Sequence, residues 1–160
     1  KGYPTTVEQR KKGLEETKWN GRLTIIHRNP LFIVDGAHNP AAADMLEDSV
    51  RKYFKGRNMY FFMGVFRDKD YSYIIRKLCP YAEQIVTIET PDNPRALPAQ
   101  ELAEAVRECN PHVQAAENIQ DAVNKVFAMA DREDVILSFG SLSFIGEITT
   151  IVKNREEKNL

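Results

Sequence analysis

The sequence predicts an α/β domain: a Rossmann-like, three-layer arrangement with a mainly parallel sheet of about six strands and helices on both faces. Three observations lead there. Short runs that are apolar throughout, such as "MYFFM" and "VILSF", alternate with longer amphipathic segments, as expected for strands buried on both faces and linked by crossover helices. The first two β-rich runs are separated only by Asn29-Pro30, too short a link for a crossover, so the first strand is expected to be antiparallel in a hairpin. The 160 residues, 42% hydrophobic and 28% charged, suit one domain with an ordinary core.

Along the chain, Thr6–Thr17 reads as a helix with only Val7 and Leu14 as apolar contacts, too polar to anchor a core alone. It suits a linker, so residues 1–21 are expected to be the tail of a preceding domain. Trp19–Arg22 breaks it at Gly21. The hairpin follows, with strands over Arg22–Arg28 and Leu31–Asp35. A helix is expected over Pro40–Phe54, a strand over Met59–Phe66, and a helix from Lys69 that Pro80 stops. Then come a strand over Gln84–Thr90, a helix from Pro98, a short strand over His112–Ala116, a helix capped by Asn118, and a strand over Asp134–Phe139. Asn is a strong N-cap residue and Pro suits a first turn. A last helix is expected over Leu142–Val152. The domain proper is thus 22–153, and 154–160 reads as a polar tail that frays.

A net charge of −1 offers no basic excess for nucleic acid or a membrane surface. Cys79 and Cys109 stand apart without metal-ligand spacing, which points to semi-buried thiols in a reducing, cytoplasmic setting. The start "KGYPTTVEQRKK" has neither an initiator Met nor a signal-peptide core, so the chain is either an excised fragment or trimmed.

In a parallel sheet, ligands bind beyond the carboxyl ends of the strands. Four strand-to-helix junctions therefore matter. The first, "DGAHNP" at Asp35–Pro40, puts a carboxylate at a strand end, a glycine where a backbone can be approached closely, and His38 and Asn39 beside a helix N-terminus that favours anions. Singly these residues read as loop cap, turn and N-cap; together they read as a site. The second, "MGVFRDKDY", offers Asp70 as an N-cap and Lys69 as a lone cation. The third, "ETPDNPRALPAQEL", holds Arg95 in a proline-stiffened loop, suited to a bidentate grip on a carboxylate or simply a surface turn. The fourth, Gly140-Ser141, has the form of a small anion cup or of a helix cap. There is no G-x-x-x-x-G-K-[ST], no G-x-G-x-x-G after the first strand, and no Cys/His cluster for a metal. His27 and His112 fall in expected strands and read as structural.

"WNGR", "NPLFIVDGAHNPAAADML", "MGVFRDKD", "DNPRALPAQEL" and "FGSLSFIGEI" occur in this order over nearly the whole chain. Together they resemble the carboxy-terminal domain of folylpolyglutamate synthase, often bifunctional with dihydrofolate synthase, in the Mur ligase superfamily. "DGAHNP" is specific; "DNPR" is shared across Mur ligases. Asn20 departs from the usual "WPGR".

The resemblance implies an ATP-dependent amide ligase. A folate carboxylate becomes an acyl phosphate, and the amino group of L-glutamate attacks it. The P-loop and most Mg²⁺ ligands would belong to an amino-terminal domain of the same polypeptide, leaving this domain inactive alone. Carried over, Arg22 would reach the ATP phosphates, Asp35 the ribose hydroxyls, and His38 both the phosphates and the incoming glutamate, as the candidate catalytic residue. Arg95 and Ser141 would hold the glutamate. No metal ligand, nucleic acid or membrane is implied for this domain. Two other readings stand beside it: another Mur-type ligase, for instance on peptidoglycan precursors, and a non-catalytic Rossmann-like binding module.

Overall fold

A computed structural model of the chain describes residues 5–16 and 21–158. Helix α1 spans Val7–Glu16. It is opened by a reciprocal cap: the Gln9 N–H donates to Thr6 Oγ1 at 3.1 Å and the Thr6 N–H to Gln9 Oε1 at 2.9 Å. Residues 5–12 are exposed, as its polarity requires. Thr17, Trp19 and Asn20, with the "WPGR" departure, lie outside the described residues, as does the side chain of Leu14.

The six strands are β1 (Thr24–Arg28), β2 (Leu31–Val34), β3 (Met59–Met63), β4 (Gln84–Thr87), β5 (Val113–Ala115) and β6 (Val135–Phe139). They form one sheet in the order β1-β2-β6-β3-β4-β5. β1 pairs antiparallel with β2, and every other pairing is parallel. The hairpin and mixed sheet are those expected. The helices are α2 (Pro40–Tyr53), α3 (Tyr71–Leu78), α4 (Ala99–Arg107), α5 (Ile119–Met129) and α6 (Ile145–Lys158). Pro80 falls in a short 3-10 turn, Cys79–Tyr81, that ends α3.

Strand alternation splits the core in two. Ile33, Phe61, Met63, Ile85, Leu137 and Phe139 pack with α2, α3 and α4. Phe32, Val34, Phe62, Val86 and Ile136 pack with α5 and α6. On the first face Phe61 meets Phe139 edge-on, centroids 5.2 Å apart, an arrangement worth about 0.5–1.5 kcal/mol beyond burial.

β6 sits between β2 and β3, yet the helices after β2 and β3 cover one face and the helix after β6 covers the other. Adjacent strands whose chains leave in opposite directions open a crevice at the carboxyl edge. The ladder runs on past the strand ends: the Asp35 N–H bonds Ser138 O at 2.8 Å, Gly140 N–H bonds Ala37 O at 2.9 Å, and Ile88 N–H bonds Met63 O at 2.9 Å. The four junction loops therefore lie side by side. Gly140 makes this possible. It has φ +108, and a Cβ there would lie 2.3 Å from Gly64 O.

Several boundaries differ from expectation. β1 starts at Thr24, because residues 21–23 turn back onto the end of β2. β4 ends at Thr87 and the chain then leaves for the Arg95 loop. His112 is exposed and precedes β5. The last helix begins at Ile145, since Leu142–Phe144 turns to bury Phe144 beside Phe62, centroids 5.9 Å apart. It also continues to Lys158, correcting the expected fraying tail from 154. Arg155 stacks over Phe127 at 4.9 Å and donates to Asn124 Oδ1 at 3.1 Å, so its last turns dock on α5.

Candidate functional site

β2 delivers Asp35 to the crevice, but not as an open carboxylate. It is 6% exposed. Oδ2 accepts the Leu23 N–H at 2.9 Å and Oδ1 the Ala37 N–H at 2.8 Å. The Arg22 guanidinium stands 3.9 Å from Oδ1. Burial pushes the carboxyl above its usual range, against the pull of the two amides and Arg22. Asp35 was expected to face the ligand edge and not the interior; instead it ties the returning 21–23 turn to the strand end. In that turn Leu23 has φ +40, rare for so bulky a residue, and Gly36 N–H bonds Gly21 O at 2.7 Å. Each carboxylate oxygen keeps a second acceptor position.

Gly36 serves a close approach. A Cβ there would lie 2.2 Å from Leu142 Cδ2 and 2.9 Å from Arg22 Nη1. His38 is half-buried, with Nδ1 2.7 Å from Gly36 O. A carbonyl only accepts, so Nδ1 carries the proton in this contact and Nε2 is not engaged by it. Asn39 caps α2, its Oδ1 accepting the Ala42 N–H at 3.0 Å, and Pro40 takes the first turn. A cleft of about 290 Å³ opens beside these groups, lined by Arg22, Leu23, Asp35, Ala41, Ala42 and Met45 among others. Its lining is mostly apolar, with Arg22 and Asp35 as its charged groups, which suits a ring system joined to a polar tail.

Ser141 lies next along the edge. It is 3% exposed, with Oγ 2.7 Å from Ser143 Oγ and accepting the Ser143 N–H at 3.2 Å. The Gly140-Ser141 junction, read as an anion cup or a helix cap, forms a closed serine turn ahead of α6, where Phe144 folds under the sheet. Asp70 caps α3, accepting the Tyr73 N–H at 3.1 Å. Lys69 is half-buried in the same loop.

Arg95 is exposed in a loop that folds back on the one after β3. Phe66 and Ala96 pair antiparallel, and Arg67 N–H bonds Arg95 O at 2.7 Å. The Arg95 Nε and Nη2 donate to Asp68 Oδ1 and Oδ2 at 3.1 and 2.5 Å, and its guanidinium lies 4.9 Å from the Phe66 ring centre. The pair holds the Asp68 carboxyl below its usual range.

Arg22, Asp35 and His38 are thus gathered around Gly36 at the end of β2. Ser141 is one strand away. Arg95 belongs to the β4 loop, three strand spacings from β2, or about 14 Å. Sequence reasoning did not single out Asp68 as a partner of Arg95, nor Leu23 and Leu142 as neighbours of the first junction. Among the described residues no group of three or more His, Cys, Asp or Glu side chains could hold a metal ion, and no helix is long and apolar enough to cross a membrane.

Residues 21–142 match the family described as "Mur ligase, glutamate ligase domain". A dihydrofolate synthase/folylpolyglutamate synthase of Bacillus subtilis is 27% identical over 146 residues, 91% of this chain and 33% of the relative. A folylpolyglutamate synthase of Lacticaseibacillus casei is 31% identical over 96 residues, 60% of this chain and 22% of the relative. The chain therefore spans a third or less of these relatives' lengths. Among solved structures, Mycobacterium tuberculosis folylpolyglutamate synthase with ADP and AMPPCP superposes with TM-score 0.78 at 26% identity, over 96% of this chain and 35% of that one. E. coli FolC with DHPP and ADP shares the fold at TM-score 0.86 and 22% identity, over 97% of this chain and 36% of that one. With most of its length matched, including every junction described above, the chain belongs to the Mur ligase glutamate ligase domain family.

Proposed function

We propose that this chain is the carboxy-terminal domain of an ATP-dependent ligase that adds L-glutamate to folates. It works against a P-loop domain of the same polypeptide. The observation that carries the reading is the cluster of Arg22, Asp35 and His38 around Gly36, beside an apolar cleft, in a sequence without G-x-x-x-x-G-K-[ST]. That is half of a nucleotide site. Magnesium would be held mainly by the opposing domain, since the described residues offer no donor cluster for it.

In this reading the cleft takes the nucleoside. Asp35 accepts ribose hydroxyls with the lone pairs left over from Leu23 and Ala37. Arg22, its side chain 46% exposed, reaches the phosphates and offsets the charge that spreads over them during transfer. His38 presents Nε2 to the phosphates or to the incoming amine. Arg95 and Ser141 serve the amino acid; Ser141 does so only if its hydroxyl leaves Ser143. The product of the first step, an acyl phosphate, hydrolyses in water. Closure of two domains excludes water and brings the amine to the acyl carbon.

The reading is supported over other Mur-type ligases by "DGAHNP" and by relatives named for folylpolyglutamate synthesis. The test is ADP release by the complete ligase. It should require L-glutamate and a reduced folate together, while the isolated chain releases none. Release dependent on a nucleotide-sugar peptide instead would transfer the chain to a peptidoglycan-type ligase.

A further inference from the structure

The Arg95–Asp68 pair, resting on the glutamate-ligase reading above, carries one step more. A guanidinium has five N–H donors on two usable edges. In this chain Asp68 takes the side edge, through Nε and Nη2, at 3.1 and 2.5 Å. Phe66 covers one flat face at 4.9 Å. Behind the side chain, the Arg95 N–H is held by Asn93 Oδ1 at 3.0 Å, and its carbonyl accepts the Arg67 N–H. What remains is the end edge, one hydrogen each from Nη1 and Nη2, and the second Nη1 hydrogen on the Cδ side. That edge is also bidentate, and the Arg95 side chain is 52% exposed.

We infer that Asp68 is a positioning residue that fixes Arg95 so that its end edge receives a carboxylate of the incoming amino acid. The loops after β3 and β4 are the scaffold. They are zipped together at Phe66 and Ala96, so Asp68 and Arg95, 27 residues apart in sequence, are held by backbone on both sides. Without Asp68 the long arginine side chain must be ordered anew each time substrate binds. The pair also admits an opposite role. If Asp68 mimicked the substrate carboxylate and occupied the same edge, it would compete with substrate, and its removal would tighten binding. The two roles differ in sign.

The experiment is steady-state kinetics of the complete ligase carrying Asp68→Ala, Asp68→Asn, Arg95→Ala, and the Asp68→Ala/Arg95→Ala double variant. Positioning predicts that Asp68→Ala raises KM for glutamate about two- to tenfold, the range for ordering one long side chain. It leaves KM for ATP and the thermal midpoint unchanged, since the pair is solvent-exposed. Asp68→Asn, which keeps one acceptor, falls in between. In the double variant the Asp68 change adds nothing to the Arg95→Ala defect. A fall in glutamate KM on Asp68→Ala overturns positioning in favour of competition. No change, beside a raised KM in Arg95→Ala, refutes any role for Asp68 while sparing the glutamate reading. If Arg95→Ala itself leaves glutamate KM unchanged, the underlying assignment of Arg95 fails.

Discussion

Replacing Gly140 by alanine should be among the most damaging single-methyl changes in this domain, and the structure gives the size. Gly140 has φ +108, a region essentially closed to residues with a Cβ, at a cost of about 1–3 kcal/mol. The new Cβ would also stand 2.3 Å from Gly64 O and 3.0 Å from Val65 Cγ1. The carbonyl belongs to the β3 junction and cannot swing aside like a side-chain end, so overpacking adds about 1–3 kcal/mol. The combined loss, roughly 2–6 kcal/mol, is a large part of the ~5–15 kcal/mol that holds an ordinary domain folded. Urea denaturation of the chain measures it, with Gly56→Ala as the control. Gly56 has φ +79 but nothing within 4 Å of an added Cβ, so it should lose only about 1–2 kcal/mol from backbone strain. Equal losses in the two variants would refute the close approach of β6 and β3 junctions, and with it the side-by-side array of loops on which the site depends.

Asp35 provides a pH prediction. Burial raises its native pKa above the ordinary 3.8, so between those values the native state holds a proton that the unfolded state has released. Its contribution to stability is therefore full below the unfolded pKa and lost as pH rises through the native one. Urea unfolding over an acid pH series should show wild type losing stability relative to Asp35→Asn as pH rises; a relative gain would mean that the Leu23 and Ala37 amides and Arg22 outweigh burial. Gly36→Ala meets Leu142 at both Cδ2 and Cγ, and Arg22 at Nη1; the exposed Leu142 side chain must turn away as a whole, so the change should cost about 1–3 kcal/mol of overpacking. It should also raise KM for ATP in the complete ligase by displacing Arg22. A variant with normal ATP kinetics would show that the Arg22 position does not matter there.

Much of the fold was legible because its signals are local. Asn29-Pro30 is too short for anything but a hairpin, and Asn39, Asp70 and Asn118 cap helices as their side chains dictate. The helix α6 was misjudged at both ends because distant groups set them: Phe144 must reach Phe62, and Arg155 finds Phe127. The site was legible as a set of junctions, since strand ends at a parallel sheet's carboxyl edge converge whatever the details. The state of each side chain was not. Whether Asp35 opens to a ligand depends on residues 21–23 returning to cap it, Ser141 closes on Ser143 because the chain dives under the sheet, and Arg95 finds Asp68 only once two loops are zipped.

The proposed function divides labour along one edge: nucleotide at the β2 junction, amino acid at the β4 loop. Arg22→Ala and Arg95→Ala in the complete ligase test it most directly, through KM for ATP and for glutamate measured side by side. Arg22→Ala should raise KM for ATP, and Arg95→Ala should raise KM for glutamate about ten- to a hundredfold, the range for a lost charge-assisted hydrogen bond. Each should leave the other constant nearly unmoved. If Arg95→Ala instead raises KM for ATP, or both variants raise both constants alike, the division is wrong and the two arginines serve one ligand.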